Sequence, residues 1–348
     1  MSEFWKWDGE WYLFNISPNA LTISRDYAII EPGDSMYNQE IKERFLSEYD
    51  SKSSYVSTRS TLLDNIGEYE KFLCKDIAEM TKDEAVRAIN SLEMCEYSTA
   101  TTSITTLKAY AKWCKVNGYF KESNFGISEI TIDDVDPTSI MSKILFRDEN
   151  DFIYSMRKVR SFDEGYPEVV YLALAWLGVD QKYALIMKDS AVDLVNRKIY
   201  DEKGNVIVNQ ISDGVLFVLT EFVRCNVVQR ENGTSVYDLI KDLSVDRFIK
   251  KFCVRSSEKM GQPFSTNQIW SSTFKLNRAY TELGYAPRFT YTNVQESGGL
   301  YRIWQLEQSG VDVFAKKNIP LVLSAFGKSK QYTKVIWKYK FYKKAFNL

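Results

Sequence analysis

From about Met36 to Tyr119, apolar side chains recur every three or four residues, the repeat of α-helices laid against a core. MYNQEIKERFLSEY is one such segment. RSTLLDNIGEYEKFLCK aligns Leu62, Leu63, Ile66, Tyr69, Phe72 and Leu73 along one face. In TKDEAVRAINSL, Thr81 followed three residues later by Glu84 forms a capping box, which places a helix start there. STATTSITTLKAYAKWCKVNGYF sets Ile104, Leu107, Tyr110, Ala111 and Cys114 on one stripe and stops at Asn117-Gly118. Four helices predict a compact helical domain over residues 39–120. An aromatic-rich extension, 1–38, precedes it, with TISRDYAII reading as a short strand.

Residues 121–145 lose the repeat and carry Asp136-Pro137, so a linker is expected there. Helical periodicity then returns over 146–348, in RDENDFIYSMRKV, PEVVYLALAWLG and DQKYALIMKDSAVD. NRKIYDEKGNVIVNQ instead alternates on either side of Lys203-Gly204-Asn205, the pattern of a β-hairpin. Everything after it reads as helix, from GVLFVLTEFVRC and VYDLIKDL through STNQIWSSTFKLNRAYTELG and VQESGGLYRIWQLEQSG to TKVIWKYKFYKKAF. The expected fold class is mainly α with a small β-hairpin or sheet, in two domains, as 348 residues allow.

No histidine occurs anywhere in the chain, which excludes Ser-His-Asp and Cys-His hydrolases, HExxH metalloenzymes and His-ligated zinc. The five cysteines (Cys74, Cys95, Cys114, Cys225, Cys253) are odd in number and scattered, so reduced thiols are expected rather than a disulfide framework or a metal site. Neither GxxxxGK[ST] nor GxGxxG is present, and no cofactor is expected. No apolar run approaches the roughly 18 residues of a membrane span. The first residues, MSEFWKWDGEWYLF, are not a secretory signal. A cytoplasmic, nucleoid-associated protein with no membrane partner is expected.

Charge is unevenly distributed. Between Val313 and Leu348 stand nine lysines (Lys316, Lys317, Lys328, Lys330, Lys334, Lys338, Lys340, Lys343, Lys344) and no acid. With a net −1 overall and +9 in this tail, the first 312 residues carry −10. A basic tail on an acidic body suits either a polyanion partner or a solvated helical face.

The order of these elements, with local motifs, resembles the tyrosine recombinase (phage integrase) family over roughly residues 40–345. The helix ending in EYEKFL, the stretch KDIAEMTKDEAVRAINSL and the long helix opened by STAT are similar to its core-binding domain. FRDENDFIYSM stands where its catalytic domain begins. LALAWLGVDQKYALIMKDSAVDLVNRKI follows its Gly-x-Arg-x-x-Glu run, and FGKSKQYTKVIW its Gly-His-Ser run. The resemblance implies a core-binding domain at 39–120, a linker at 121–145 and a catalytic-like domain at 146–348 that together clamp duplex DNA.

It also implies that the chemistry has gone. The family's first arginine falls at Asp180, its glutamate at Tyr183, and its His-x-x-Arg pair at Thr292 and Gln295. Its third donor falls at Lys328 and its nucleophile at Trp337, and Lys203 matches the hairpin lysine. An indole cannot attack phosphorus, and Asp180 brings negative charge where a phosphate needs positive. A clamp without catalysis resembles the integrase-like master repressors of SPβ-type prophages. The implied role is a sequence-specific double-stranded DNA-binding transcriptional regulator that maintains lysogeny, and not an enzyme. The alternatives are an active site-specific recombinase with a displaced nucleophile, Tyr339 or Tyr332, and an interaction protein that no longer binds DNA.

If DNA is the partner, the helix in PFSTNQIWSSTFKLNRAY stands where the family inserts one into the major groove. Ser265 or Thr266 caps it; Asn267, Gln268, Ser271, Ser272 and Lys275 are available for reading, and Ile269, Phe274 and Leu276 for packing. Thr101, Thr102, Thr105, Lys108, Lys112 and Lys115 share one flank of the first domain's last helix. Further basic candidates are Arg255, Lys259, Arg278 and Arg288 around the reading helix, and Lys328, Lys330 and Lys334 in the tail. Trp337, Tyr339, Phe341, Tyr342 and Phe346 read as packing residues or a subunit contact. A homo-oligomer on DNA and a regulatory protein or peptide effector are the further partners implied.

Overall fold

The computed structural model describes residues 4–7, 10–13, 36–49, 54–94, 96–120, 125–159, 167–232, 235–254, 261–286, 288–327 and 331–348. Strands β1 (Phe4–Trp7) and β2 (Glu10–Leu13) pair antiparallel. The strand expected in TISRDYAII lies outside the described residues.

The four expected helices of the first domain are α1 (Gln39–Ser47), α2 (Ser54–Leu73), α3 (Lys82–Ser91) and α4 (Tyr97–Val116). The capping box starts α3 as the sequence predicts: Thr81 Oγ1 accepts from Glu84 N at 3.4 Å, and Glu84 accepts from Thr81 N at 2.9 Å. The α4 stripe Ile104, Leu107, Tyr110, Ala111 and Cys114 is buried against Phe45, Leu63, Ile66 and Ile89. Phe72 departs from its expected face and is exposed, because about 100° per residue turns it away from Leu62, Ile66 and Leu73. A polar knot lies inside this apolar core. Lys42 pairs with Glu70, both fully buried, and Asp76 accepts from Tyr110 Oη at 2.9 Å and Asn38 Nδ2 at 3.1 Å. Burial pushes the Glu70 carboxyl above its ordinary range even beside Lys42.

The expected linker is packed structure over its described part. Two 3₁₀ turns, Gly126–Glu129 and Ile132–Asp134, carry Phe125, Ile127, Ile130 and Val135 into the first domain's core. Gly126 lies so close to α3 that a Cβ there would stand 2.2 Å from Lys82 N. The helix α5 (Thr138–Ile144) follows. Loss of a 3.6-residue repeat marks short turns here, not an unpacked chain.

The second domain runs α6 (Glu149–Val159), α7 (Pro167–Trp176), α8 (Gln181–Ile186), β3 (Val192–Asp193), β4 (Lys198–Tyr200), β5 (Val206–Val208) and α9 (Asp213–Arg224). It continues with β6 (Val227–Asn232), β7 (Ser235–Lys241), β8 (Phe252–Cys253), α10 (Thr266–Glu282), α11 (Tyr291–Gln308), α12 (Ile319–Phe326) and α13 (Tyr332–Phe346). The fold is mainly α, with small antiparallel sheets ordered β3-β4-β5 and β6-β7-β8. The hairpin expected around Lys203-Gly204 joins β4 and β5, with Gly204 at φ 81°. VYDLIKDL is a correction: it is strand, not helix. Its pairing with β6 along the whole strand, from Val227↔Ile240 to Asn232↔Ser235, outweighs its apolar spacing. DQKYALIMKDSAVD likewise stops being α-helix at Ile186.

At the centre, α7 is buried from Val170 through Trp176. The helix α11 crosses it at Gly298, where a Cβ would stand 2.1 Å from Trp176 O, and meets α12 at Gly299. The last helix, α13, joins the two domains. Val335, Tyr339 and Tyr342 pack with Leu300, Ile303, Val322 and the Met141 of α5, while Trp337 enters the first domain's core.

Candidate functional site

The positions matching the family's phosphate clamp gather where α7 ends and α11 begins. Asp180 is the N-cap of α8, accepting from Lys182 N at 2.8 Å and Tyr183 N at 3.2 Å. Its charge is spent on orphan helix amides. Gln295 is buried, and its Nε2 donates to the carbonyls of Gly178 at 3.1 Å and Val179 at 2.9 Å. Tyr291 Oη donates to the same Val179 carbonyl at 2.6 Å. Asp180 and Gln295 thus come together through one loop, both engaged with the main chain. Thr292 is exposed at the start of α11, and Tyr183 donates to Tyr200 O at 2.6 Å. Lys203 is exposed at the hairpin turn, and Lys328 lies outside the described residues.

One guanidinium does reach this place, and sequence reasoning did not single it out. Arg302 Nε donates to Ala325 O at 2.7 Å and Nη1 to Trp176 O, so the side chain ties the end of α7 to α12. Its Nη2, beside Gly178, has no hydrogen-bond partner among the described residues. Burial pulls the guanidinium down to about 10. The only sequence signal was its place after Gly298-Gly299, where helices approach closely.

Trp337 is buried against Tyr97 and Phe341. The two alternative tyrosines are both tied down. Tyr339 is fully buried and donates to Glu307 Oε2 at 2.5 Å, and Tyr332 donates to Val313 O at 2.8 Å. Burial raises both phenols above their ordinary range, and at Tyr339 the Glu307 carboxylate adds to it. A phenol held protonated is a poor nucleophile.

The α10 helix begins where the sequence places it, with Ser265 as N-cap. Its inner face is Ile269, Thr273, Leu276 and Tyr280. Thr266, Asn267, Ser271 and Lys275 are exposed, as is Arg278, which pairs with Glu282 at 3.1 Å. Gln268 needs correcting. Its Oε1 accepts from Ser265 N at 2.9 Å and Ser265 Oγ at 3.1 Å, so it closes a capping box and cannot present a free donor-acceptor pair. Phe274 is a second correction. Expected to pack, it is 52% exposed and stacks on Trp270, itself 66% exposed, with centroids 5.8 Å apart. It lies one residue past the buried Thr273, about 100° round the helix. The side chain of Ser272 lies outside the described residues.

Arg288 is a third correction. It pairs with Asp151 at 2.9 Å, donates to Ser155 Oγ and Tyr280 Oη at 2.7 Å, and covers the Phe146 ring. That guanidinium is an internal anchor, withdrawn from solvent. Arg255 and Lys259 lie outside the described residues.

On α4, Thr101, Thr102, Thr105, Lys112 and Lys115 are exposed and Lys108 is half-buried. Thr101 and Thr105 turn their hydroxyls onto the carbonyls four residues back, each at 2.8 Å. None of the three lysines forms an ion pair among the described residues, and Lys115 Nζ stands 5.5 Å from the Phe125 ring centroid. The tail behaves otherwise. Lys338 is buried between Glu96 and Glu296, Lys343 pairs with Glu307 at 2.9 Å, and Lys344 pairs with Asp136. Lys334 is half-buried, and Lys328 and Lys330 lie outside the described residues. Three of the nine tail lysines thus pair with carboxylates of this chain, while Lys316, Lys317 and Lys340 are exposed.

Among the described residues no group of His, Cys, Asp and Glu could hold a metal ion, and no helix is long and apolar enough to cross a membrane.

Residues 36–116 match the family model described as MrpR, N-terminal core-binding domain. No curated protein matches the chain. Among solved structures, the XerA recombinase aligns at TM-score 0.35 and 14% identity over 88% of this chain and 93% of that one. The Tn1549 transposon integrase, solved in complex with circular intermediate DNA, aligns at TM-score 0.36 and 13% identity over 87% and 95%. The same integrase with transposon right end DNA aligns at TM-score 0.36 and 13% identity over 87% and 93%. Identity at this level transfers no residue role.

Proposed function

We propose that this chain is a sequence-specific double-stranded DNA-binding transcriptional regulator, a repressor of the prophage type, built on a recombinase-like scaffold that performs no strand exchange. The observation that carries the reading is the paired use of Asp180 and Gln295: one caps a helix and the other binds main-chain carbonyls, so neither is offered to a phosphate. Strand exchange depends on preorganised cations at that point, each typically worth a few kcal/mol. The burial of Trp337 and Tyr339 supports the same view. The match of the first domain to an MrpR core-binding domain, and the exposed Lys112 and Lys115 of α4, support a duplex as the partner.

The test is an electrophoretic shift with genomic fragments at about 50 and 200 mM salt, run with a covalent-adduct assay on the same DNA. A salt-sensitive shift on particular fragments with no protein-linked strand is the expected result. A second reading, an interaction protein without DNA affinity, is favoured by one observation: Lys338, Lys343 and Lys344 are paired with carboxylates of this chain. It predicts no shift at either salt.

A further inference from the structure

Trp270 and Phe274 form an apolar step on the outer side of α10, with rings only 18° from parallel. The helix does not need them for anchorage, since Ile269, Thr273, Leu276 and Tyr280 already fill its inner face. Large aromatics stacked in water on a folded surface mark a contact site. Their neighbours say of what kind. Asn267 stands one turn before Trp270, Lys275 directly follows Phe274, and Arg278, paired with Glu282, lies one turn beyond it, all exposed. This face has an amide at its N-terminal end, an apolar centre with Lys275 beside it, and an Arg278–Glu282 pair at its C-terminal end.

That succession matches one edge of a duplex. In the major groove the thymine C5-methyl is the apolar feature, the paired adenine presents N6 and N7 to an amide, and a flanking phosphate takes a cation. A protein partner would cover the rings equally well, but Lys275, which forms no ion pair among the described residues, favours a polyanion. We infer that Trp270 and Phe274 are specificity-determining residues that read thymine methyl groups in the major groove, beside an adenine read by Asn267. The inference rests on the duplex-binding reading above.

The experiment selects the tightest duplexes for the full chain from a random library, then replaces each thymine in turn by deoxyuridine. That change removes a methyl and leaves pairing and charge alone. For wild type, one or two replacements are expected to weaken binding about fourfold each, the value of one buried methyl-sized group. In Phe274→Ala and Trp270→Ala the same replacements should have no further effect. Both variants should melt as wild type does, because the side chains lie outside the core. Selected duplexes that bind with indifference to every methyl would overturn this inference alone. So would a methyl effect that persists in both variants, or variants that change self-association and not DNA binding. Failure to select any duplex would overturn the duplex reading and this inference with it.

Discussion

Trp337 of the last helix meets Tyr97 at the start of α4 edge to face, with centroids 5.6 Å apart and planes at 77°. The residue that the sequence resemblance sets at a recombinase nucleophile position is thereby packed into the core of the first domain. One helix turn joins chain segments 240 positions apart, and the two domains share it.

Trp337→Ala should cost about 3–5 kcal/mol, because the site is closed on both sides and cannot collapse fully. Urea denaturation measures it. If α13 couples the domains, the variant should also unfold in two transitions where wild type shows one. A loss under about 1 kcal/mol would mean that the indole contributes little to the junction.

Lys338→Met should be as damaging. It would take the ammonium away from the buried Glu296 carboxylate, at about 3–5 kcal/mol. Lys338→Met with Glu296→Leu should recover most of that loss, since two apolar side chains can replace a buried ion pair. A double variant no better than the single one would show that the pair is not what holds α13 in place.

No 3′-phosphotyrosyl adduct is expected from wild type or from Trp337→Tyr on any duplex. The new phenol would be buried, and the Arg302 guanidinium beside Gly178 is tied to main-chain carbonyls rather than offered to a phosphate. An adduct from either protein, seen as radiolabel retained on denatured protein, would reverse the non-catalytic reading.

Salt dependence should separate exposed lysines from ion-paired ones. Lys112→Ala and Lys115→Ala should each flatten the log–log salt slope of duplex binding by about one unit. Lys343→Ala should leave the slope unchanged, because that ammonium is bound to Glu307. Equal slopes in all three variants would remove α4 from the interface.

Lys241 introduces a pH dependence. It is buried, donates to the carbonyls of Phe222 and Val223 at the end of α9, and is pulled by burial down to about 8. Between about 8 and its ordinary value the unfolded chain binds more protons than the folded one, so stability from this group rises with pH. From pH 7 to about pH 10, wild type should gain about 1–3 kcal/mol relative to Lys241→Met. A gap that is flat or moves the other way would place the charged ammonium at no disadvantage in the fold.

Much of the first domain was legible from local pattern. Thr81 and Glu84 lie three residues apart, and the α4 stripe repeats within single turns, so both follow from the geometry of one helix. Ser265 before α10 and Gly204 between β4 and β5 were legible for the same reason. The site was legible only in part. Composition alone excluded histidine chemistry, and the place of Asp180 and Gln295 followed from a resemblance, but what they bind did not. Gln295 meets carbonyls 116 and 117 positions away, Arg288 meets Asp151 137 positions away, and Lys338 meets Glu96 242 positions away. Those distances lie far beyond any helical or strand repeat. The sequence by itself determined which residues could be charged, apolar or capping, because these are properties of single side chains and short spacings. Only the tertiary structure decided which lysines remain free, which arginine is an anchor and which aromatics face water, because burial and pairing depend on which distant segments pack together.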